Sequence, residues 1–304
     1  MNNTNSNNTD ITCIVIGISF IPLSIIGLVL NILVFMAVEQ NHNLSRTFYI
    51  YSLNYLVSDC LGLISEGIYT GLSAALNTTF SESMEQVMAL VTLVAWFSKG
   101  GFLVLLSASR FYILSRSYLV ENLVTNRQKA YINASCWLVW LFFTLFYSNY
   151  FFVGDKYLWL NTQNQGWELK KGSKNLWIEI NILLYKSYNV AITVIILGIN
   201  CAILIIVRKK MHRLTSVTSY TANHQSQDLN RKREVKLFVQ CSLTCALYLF
   251  GVLTSLGFGS KNVTIVRILR YWQIVVNMEC AVVYLALNHE IRNTIKNWFI
   301  ECKF

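Results

Sequence analysis

Four ionisable side chains, Asp59, Glu66, Lys99 and Glu279, stand inside otherwise apolar runs of this 304-residue chain. A charge surrounded by hydrocarbon is costly, so such residues turn toward a shared interior, pair with one another and mark functional positions. Lys99 carries the informative sign: its ammonium has three donors and needs acceptors, and Asp59, Glu66 and Glu279 are the carboxylates within its reach. Removing one member of a buried pair leaves the other uncompensated, so such a pair couples the elements that carry it more surely than it stabilises them. Hydrolytic and metal chemistry are not expected. No His/Glu zinc spacing occurs, no Ser/His/Asp set converges, and His42, His212, His224 and His289 all fall in polar segments between the runs. No catalytic residue, metal ligand or cofactor site is therefore expected.

The elements that must position these charges are membrane spans. The chain is 54% hydrophobic and 13% charged, against about 25% charged in soluble domains. A bilayer core of about 30 Å takes roughly 20 apolar residues per helix. Seven runs meet that need, near 11–38, 48–76, 86–114, 130–153, 178–207, 235–258 and 265–288. Residues 1–10 read as a polar extracellular tail, 11–288 as an all-α seven-helix membrane bundle, and 289–304 as an amphipathic helix with a short cytoplasmic tail. In that last segment Ile291, Ile295, Trp298 and Phe299 recur at helical spacing opposite Arg292 and Lys296, as in a helix lying in the interface.

The net charge of +10 is split into short segments between the runs instead of forming one face, which argues against nucleic acid and for membrane topology. Arg46, Arg116, Arg127, Lys129, the cluster Arg208 to Arg213 and the cluster Arg231 to Lys236 all lie on one side of the membrane, which the positive-inside rule makes cytoplasmic. Lys170, Lys171 and Lys174 in the second outer loop run against the trend. Glycosylation sequons at Asn2, Asn7, Asn77 and Asn262 fall on the opposite, outer side, while Asn43 and Asn133 are matches elsewhere. Most of the eight cysteines lie within apolar runs, and neither a disulfide framework nor a metal spacing emerges.

Several short motifs occur in an order that resembles the rhodopsin-like receptors. Asn31 in Gly27-Leu28-Val29-Leu30-Asn31 looks like the first-helix asparagine of that family. Leu53-Asn54-Tyr55-Leu56-Val57-Ser58-Asp59 resembles its second-helix motif with a buried carboxylate. Ser109-Arg110-Phe111 is a variant of the motif that closes the third helix, and Trp137 or Trp140 fits the fourth-helix tryptophan. Tyr284, followed by Leu287-Asn288-His289-Glu290-Ile291-Arg292, resembles the passage from the seventh helix into the eighth. The start of the sixth run, Glu234 to Gln240, and the Leu-Asn-His-Glu-Ile-Arg ending are most similar to nematode serpentine chemoreceptors, the class x group among them. The chain departs from the pattern in Ser109, in Cys280-Ala281-Val282-Val283-Tyr284 and in having Pro22 as its sole proline. Spans five to seven therefore lack proline kinks. Glu85 stands near the usual place of a cysteine bridged to the second outer loop, and that loop has no cysteine.

The resemblance implies a plasma-membrane G-protein-coupled receptor with its N-terminus outside. It would sense an extracellular small molecule and activate a heterotrimeric G protein, with membrane lipids as its remaining partner. A peptide-binding receptor is the runner-up. A transporter ranks lower, since no internal repeat or Gly/Pro-broken helix is visible. Arg110 would contact the G protein, with Glu234 as its resting partner and Tyr284 in the same cytoplasmic assembly. Lys99 lies eleven residues before Arg110, about three turns, at the depth where such receptors keep a small polar residue. Asp59 is its favoured partner, in place of a sodium ion, within a polar network of Asn31, Asp59, Lys99 and Glu279. Ligand contacts are expected from Glu66, Thr92, Trp96, Tyr185, Lys186, Asn189, Arg270 and Gln273. Their partly cationic rim suits an anionic or hydrogen-bonding ligand.

Overall fold

The computed structural model describes residues 4–40, 47–78, 80–115, 125–152, 158–161, 166–169, 176–215, 239, 241–252 and 263–301. Helix α1 is Thr4–Gln40, so it begins within the expected N-terminal tail. The second span comprises α2 (Thr47–Gly62), a wide π-helical segment (Leu63–Tyr69) and α3 (Thr70–Leu76). The third span is α4 (Glu82–Ser115) and the fourth α5 (Asn126–Phe152). A hairpin of β1 (Leu158–Asn161) and β2 (Gly166–Leu169) follows, antiparallel, with Leu160 opposite Trp167. Then come α6 (Leu176–Thr215) and α7 (Cys241–Val252). The seventh span is split into α8 (Val263–Val276) and α9 (Glu279–Leu287), and α10 (His289–Glu301) closes the described chain.

Helices are the form these runs must take, because hydrocarbon satisfies no backbone N–H or C=O and a helix satisfies nearly all of its own. The distribution of side chains is inverted relative to a protein folded in water. Ile25, Ile32, Val190, Val194, Leu197 and Leu204 are exposed, whereas Asn31, Ser58, Asp59, Ser98 and Lys99 are buried. Such an apolar exterior is a lipid face. The stretches Ile11–Gln40, Glu82–Tyr112 and Leu183–Lys209 are each long and apolar enough to cross a bilayer.

Helix α4 is the axis of the bundle, packed against α2, α5, α6 and β1. Helix α1 reaches the π segment and α3 through small residues. A Cβ on Gly67 would lie 1.8 Å from Ser24 Oγ, and one on Gly71 would lie 2.8 Å from the Gly17 carbonyl. Close backbone approach of this kind is how helices associate where lipid removes the hydrophobic drive. The π segment begins four residues beyond Asp59, and at its C-cap the Thr70 hydroxyl donates to the Ser65 carbonyl five residues back at 3.0 Å. On the inner half, Leu56, Phe102, Leu103, Ile196, Tyr248 and Tyr284 belong to one core cluster.

The seventh span is broken at Asn277–Met278 although no proline is present. A helix can be interrupted wherever other groups take up the freed carbonyls, and here Lys99 and Asn31 take up those of Val276 and Asn277. In α10, Ile291 is buried and Ile295 and Trp298 half-buried, but Phe299 is exposed like Arg292 and Lys296. Phe299 therefore faces away from the bundle.

Candidate functional site

The centre of the bundle is built around Lys99. Its Nζ lies 2.6 Å from Asp59 Oδ1, donates to the Val276 carbonyl at 2.6 Å and to Asn277 Oδ1 at 3.1 Å. An ammonium has three donors, and all three are used. The lysine is 2% exposed and Asp59 0%, and the ammonium also lies 5.2 Å from the centroid of the Tyr55 ring, a cation–π contact. Lys99 thus ties α4 at once to α2 and to the break between α8 and α9. The break is stabilised by that same cation: Val276 C=O accepts from Lys99, while Asn277 C=O accepts from Asn31 Nδ2 at 3.0 Å. Asn277 also donates through Nδ2 to Glu66 Oε2 at 3.0 Å. Gly62 makes room for it, since a Cβ there would lie 2.7 Å from Asn277 Nδ2.

Glu279 belongs to the neighbourhood without touching Lys99. The Tyr55 hydroxyl donates to its Oε1 at 2.7 Å, and Ser58 and Ser98 link α2 to α4 at 2.8 Å. Of the four residues expected in the network, Asn31, Asp59 and Lys99 are joined through Asn277, and Glu279 joins through Tyr55. Asn277 and Tyr55 were missed. The signal for Asn277 was its polar amide in an apolar run six residues past Tyr271, and nothing in its type indicated a helix break.

Toward the outer side, α4 and α6 present an aromatic wall around an amide. Trp96 Nε1 donates to Asn189 Oδ1 at 3.0 Å, and Asn189 Nδ2 donates to the Tyr185 carbonyl at 2.9 Å. The Trp96 ring lies 6.3 Å from Tyr185 and 6.1 Å from Tyr248. The Tyr188 hydroxyl donates to the Phe97 carbonyl at 2.6 Å. Thr92 is buried, and its hydroxyl donates to the Met88 carbonyl of its own helix at 2.9 Å. Arg270 donates to Gln273 Oε1 and to the Trp167 carbonyl, each at 2.9 Å, and Glu66 is close enough to it to interact electrostatically.

The cationic rim expected from sequence is not formed. Lys186 is exposed on the outside of α6, away from Trp96 and Asn189, and the Arg270 charge is faced by Glu66. Helical phase explains the difference: Lys186 is three residues before Asn189, yet the side chains of α6 that turn inward are Tyr185, Tyr188, Asn189 and Ile192.

The hairpin packs on Tyr69 of the π segment and on Met88 and Ala89 of α4. The Leu160 N–H donates to Glu85 Oε1 at 2.9 Å, and this bond is buried. The Trp167 ring stacks with Tyr69 at 6.0 Å and 9°, while the Trp167 carbonyl is held by Arg270. Glu85 thus supplies, by a hydrogen bond, the link between span three and the outer loop that its position suggested was lost.

At the inner side, Arg110 is 2% exposed, near Cys241 of α7 and Tyr284 of α9. Ser107 lies 3.5 Å from Cys245 Sγ and 3.9 Å from Cys241 Sγ. Tyr284 shares a hydrogen bond with Ser52 at 2.5 Å, joining α9 to α2. Asn288 caps α10 by accepting from the Glu290 and Ile291 amides at 3.1 and 3.3 Å. Arg292 returns to the Leu285 and Ala286 carbonyls at the end of α9 at 2.8 and 2.6 Å. Trp137 Nε1 donates to Asn54 at 2.6 Å, whereas Trp140 packs over Gly101. Glu234, Asn2 and Asn262 lie outside the described residues. Asn7 falls within α1, and Asn77 is exposed in a left-handed conformation at the end of α3.

A model of the serpentine-type seven-transmembrane chemoreceptors named Srx matches residues 21–288. The chain belongs to the Srx family of G-protein-coupled chemoreceptors. Among solved structures, the crystal structure of squid rhodopsin superposes on this Srx chain with a TM-score of 0.78 at 15% identity, covering 96% of this chain and 87% of that one. That likeness establishes the seven-helix fold. This Srx receptor is accordingly a multi-pass membrane protein of a receptor class that generally has no enzymatic activity, acting by ligand sensing and G-protein coupling.

Proposed function

We propose that this receptor binds an uncharged, hydrogen-bonding small molecule against Trp96, Tyr185 and Asn189, beneath the β1–β2 hairpin. Binding there biases the packing of α4 against α6 and α7. The half-buried aromatic wall around the Asn189 amide carries this reading. Pockets for small molecules are mostly apolar with a few oriented polar groups, and this one has aromatic faces with an amide fixed at both ends. The expected anionic ligand loses support because Lys186 turns outward and Glu66 faces Arg270. The hydrogen-bonding alternative keeps it.

The signal then travels through the Lys99 centre, which joins α4 to α2 and to the seventh-span break, and reaches Arg110 and Tyr284 at the inner face. There the chain meets a heterotrimeric G protein, with the basic segments Arg208 to Arg213 and Arg231 to Lys236 against anionic headgroups or the G protein. The N-terminus is extracellular in this reading, at the plasma membrane, and Asn77 is available for glycosylation.

The test is a heterologous signalling assay with odorant and extract fractions on the parent, Arg110→Ala and Trp96→Ala receptors, each with measured surface expression. A response lost in Arg110→Ala, and shifted at least tenfold in effective concentration in Trp96→Ala, is expected. A response indifferent to Trp96→Ala would move the pocket elsewhere, and one indifferent to Arg110→Ala would remove Arg110 from coupling.

A further inference from the structure

The charges of the interior do not cancel. Among the described residues at the depth of Lys99, the acids Asp59, Glu66 and Glu279 face the bases Lys99 and Arg270, while the buried Arg110 lies about three turns further along α4, near Cys241 and Tyr284. Glu66 is faced by Arg270 and receives the Asn277 amide. Asp59 is in direct contact with Lys99. Glu279 is left as the acid in excess. Lys99 has no donor remaining for it, because its three are committed to Asp59, Val276 and Asn277.

The surroundings of Glu279 sharpen the assignment. It is 4% exposed and accepts one hydrogen bond, from the Tyr55 hydroxyl on α2. Its Oε2 has no hydrogen-bond partner among the described residues. The titratable and charged groups that face it are Tyr55 and Asp59 from α2, Lys99 from α4, Cys245 and Tyr248 from α7, and Cys280 beside it on α9. Helix α1 contributes Asn31 at this depth, which does not titrate. The cation in that list is held by Asp59, so an ionised Glu279 would set a second carboxylate against one ammonium in a water-poor interior. A buried carboxylate without its own countercharge takes up a proton instead.

We infer that Glu279 is a proton-binding site, holding a neutral carboxylic acid with its O–H on Oε2 while Oε1 accepts from Tyr55. The site is filled when α9 packs on α2, and any rearrangement that draws Glu279 away from Tyr55 toward water favours loss of the proton. Interconversion of the receptor's conformations is therefore linked to proton uptake and release. This inference rests on the charge arrangement alone and is independent of which ligand occupies the outer pocket.

Infrared spectroscopy of the purified receptor in lipid nanodiscs at neutral pH tests it, reading the C=O stretch of protonated carboxyl groups and its shift in deuterium oxide. A band present in the parent and missing in Glu279→Gln is expected, since Gln keeps the shape and the acceptor for Tyr55. In Lys99→Met the band should roughly double, because Asp59 then loses its countercharge as well. A parent band unchanged by Glu279→Gln would overturn the assignment, as would the absence of any such band in the parent. Should Glu279→Gln not fold, selective carbon-13 labelling of glutamate in the parent decides the matter. The band must move with labelled glutamate, and a band that moves only with labelled aspartate refutes the proposal.

Discussion

Replacing Lys99 by methionine, a side chain of similar length without charge, isolates the role of the central cation. Asp59 is fully buried and the ammonium 2.6 Å from it in the parent is gone in this variant, so it must remain as an uncompensated anion or be neutralised. Neutralising a carboxyl of ordinary acidity at pH 7 costs about 4 kcal/mol, some 3 units at about 1.4 kcal/mol each, which caps the electrostatic part of the loss. That agrees with the roughly 3–5 kcal/mol seen when one member of a buried pair is removed. The Val276 carbonyl and Asn277 Oδ1 lose a donor too, adding about 1–3 kcal/mol. For a chain of this size the sum lowers the melting temperature by on the order of 10 °C. The double change Asp59→Asn/Lys99→Met removes the anion and leaves only the second loss, so it should melt above the single variant. The sign with pH follows from linkage: Lys99→Met takes up a proton on folding, so its deficit relative to the parent shrinks by about 3 kcal/mol between pH 7 and pH 5. Thermal unfolding in nanodiscs, followed by fluorescence across that range, measures both effects. A double variant no more stable than Lys99→Met, or a deficit that does not change with pH, would refute the pairing.

Other outcomes follow from single contacts. Glu85→Ala should speed hydrogen exchange at the Leu160 amide by about 10- to 100-fold, the kinetic equivalent of losing one buried charged hydrogen bond, with Glu85→Gln closer to the parent; equal exchange in all three would remove Glu85 as the hairpin's latch. Gly67→Ala drives a methyl to 1.8 Å from Ser24 Oγ and 2.6 Å from Ser24 Cβ, and should destabilise by about 1–3 kcal/mol in a melting experiment. Gly198→Ala meets nothing within 4 Å and should stabilise by about 0.5–1 kcal/mol through helix propensity, so the two glycine variants must move in opposite directions.

Side-chain chemistry was more legible in the sequence than geometry. A lysine in an apolar run demands an acceptor, and with few carboxylates at its depth the pairing with Asp59 was within reach of reasoning from residue type alone. The seven runs were legible for the same reason, since the period and length of apolar segments are dictated by the bilayer. The break at Asn277–Met278 was not, because it depends on acceptors and donors supplied from α1 and α4, hundreds of residues away in sequence. The π segment after Asp59 likewise leaves no mark in composition. Lys186 turns outward: a charge at the right depth says nothing about helical phase, and a cation near the membrane boundary can reach the headgroups from the lipid side. The hairpin leaves little trace in the sequence: its strands, Leu158–Asn161 and Gly166–Leu169, are too short to stand out by alternation.

The Glu85 latch changes what the outer surface requires in order to mature. No cysteine occurs between Cys136 and Cys201, so the β1–β2 hairpin reaches its place without an oxidant, an isomerase or a choice among thiol partners. A covalent bridge, once closed, holds until it is chemically reduced; a carboxylate-to-amide bond opens and reseals thermally, with no chemical trace of either event. The hairpin's seat against Glu85 and Tyr69 should thus withstand reductants in purification buffers.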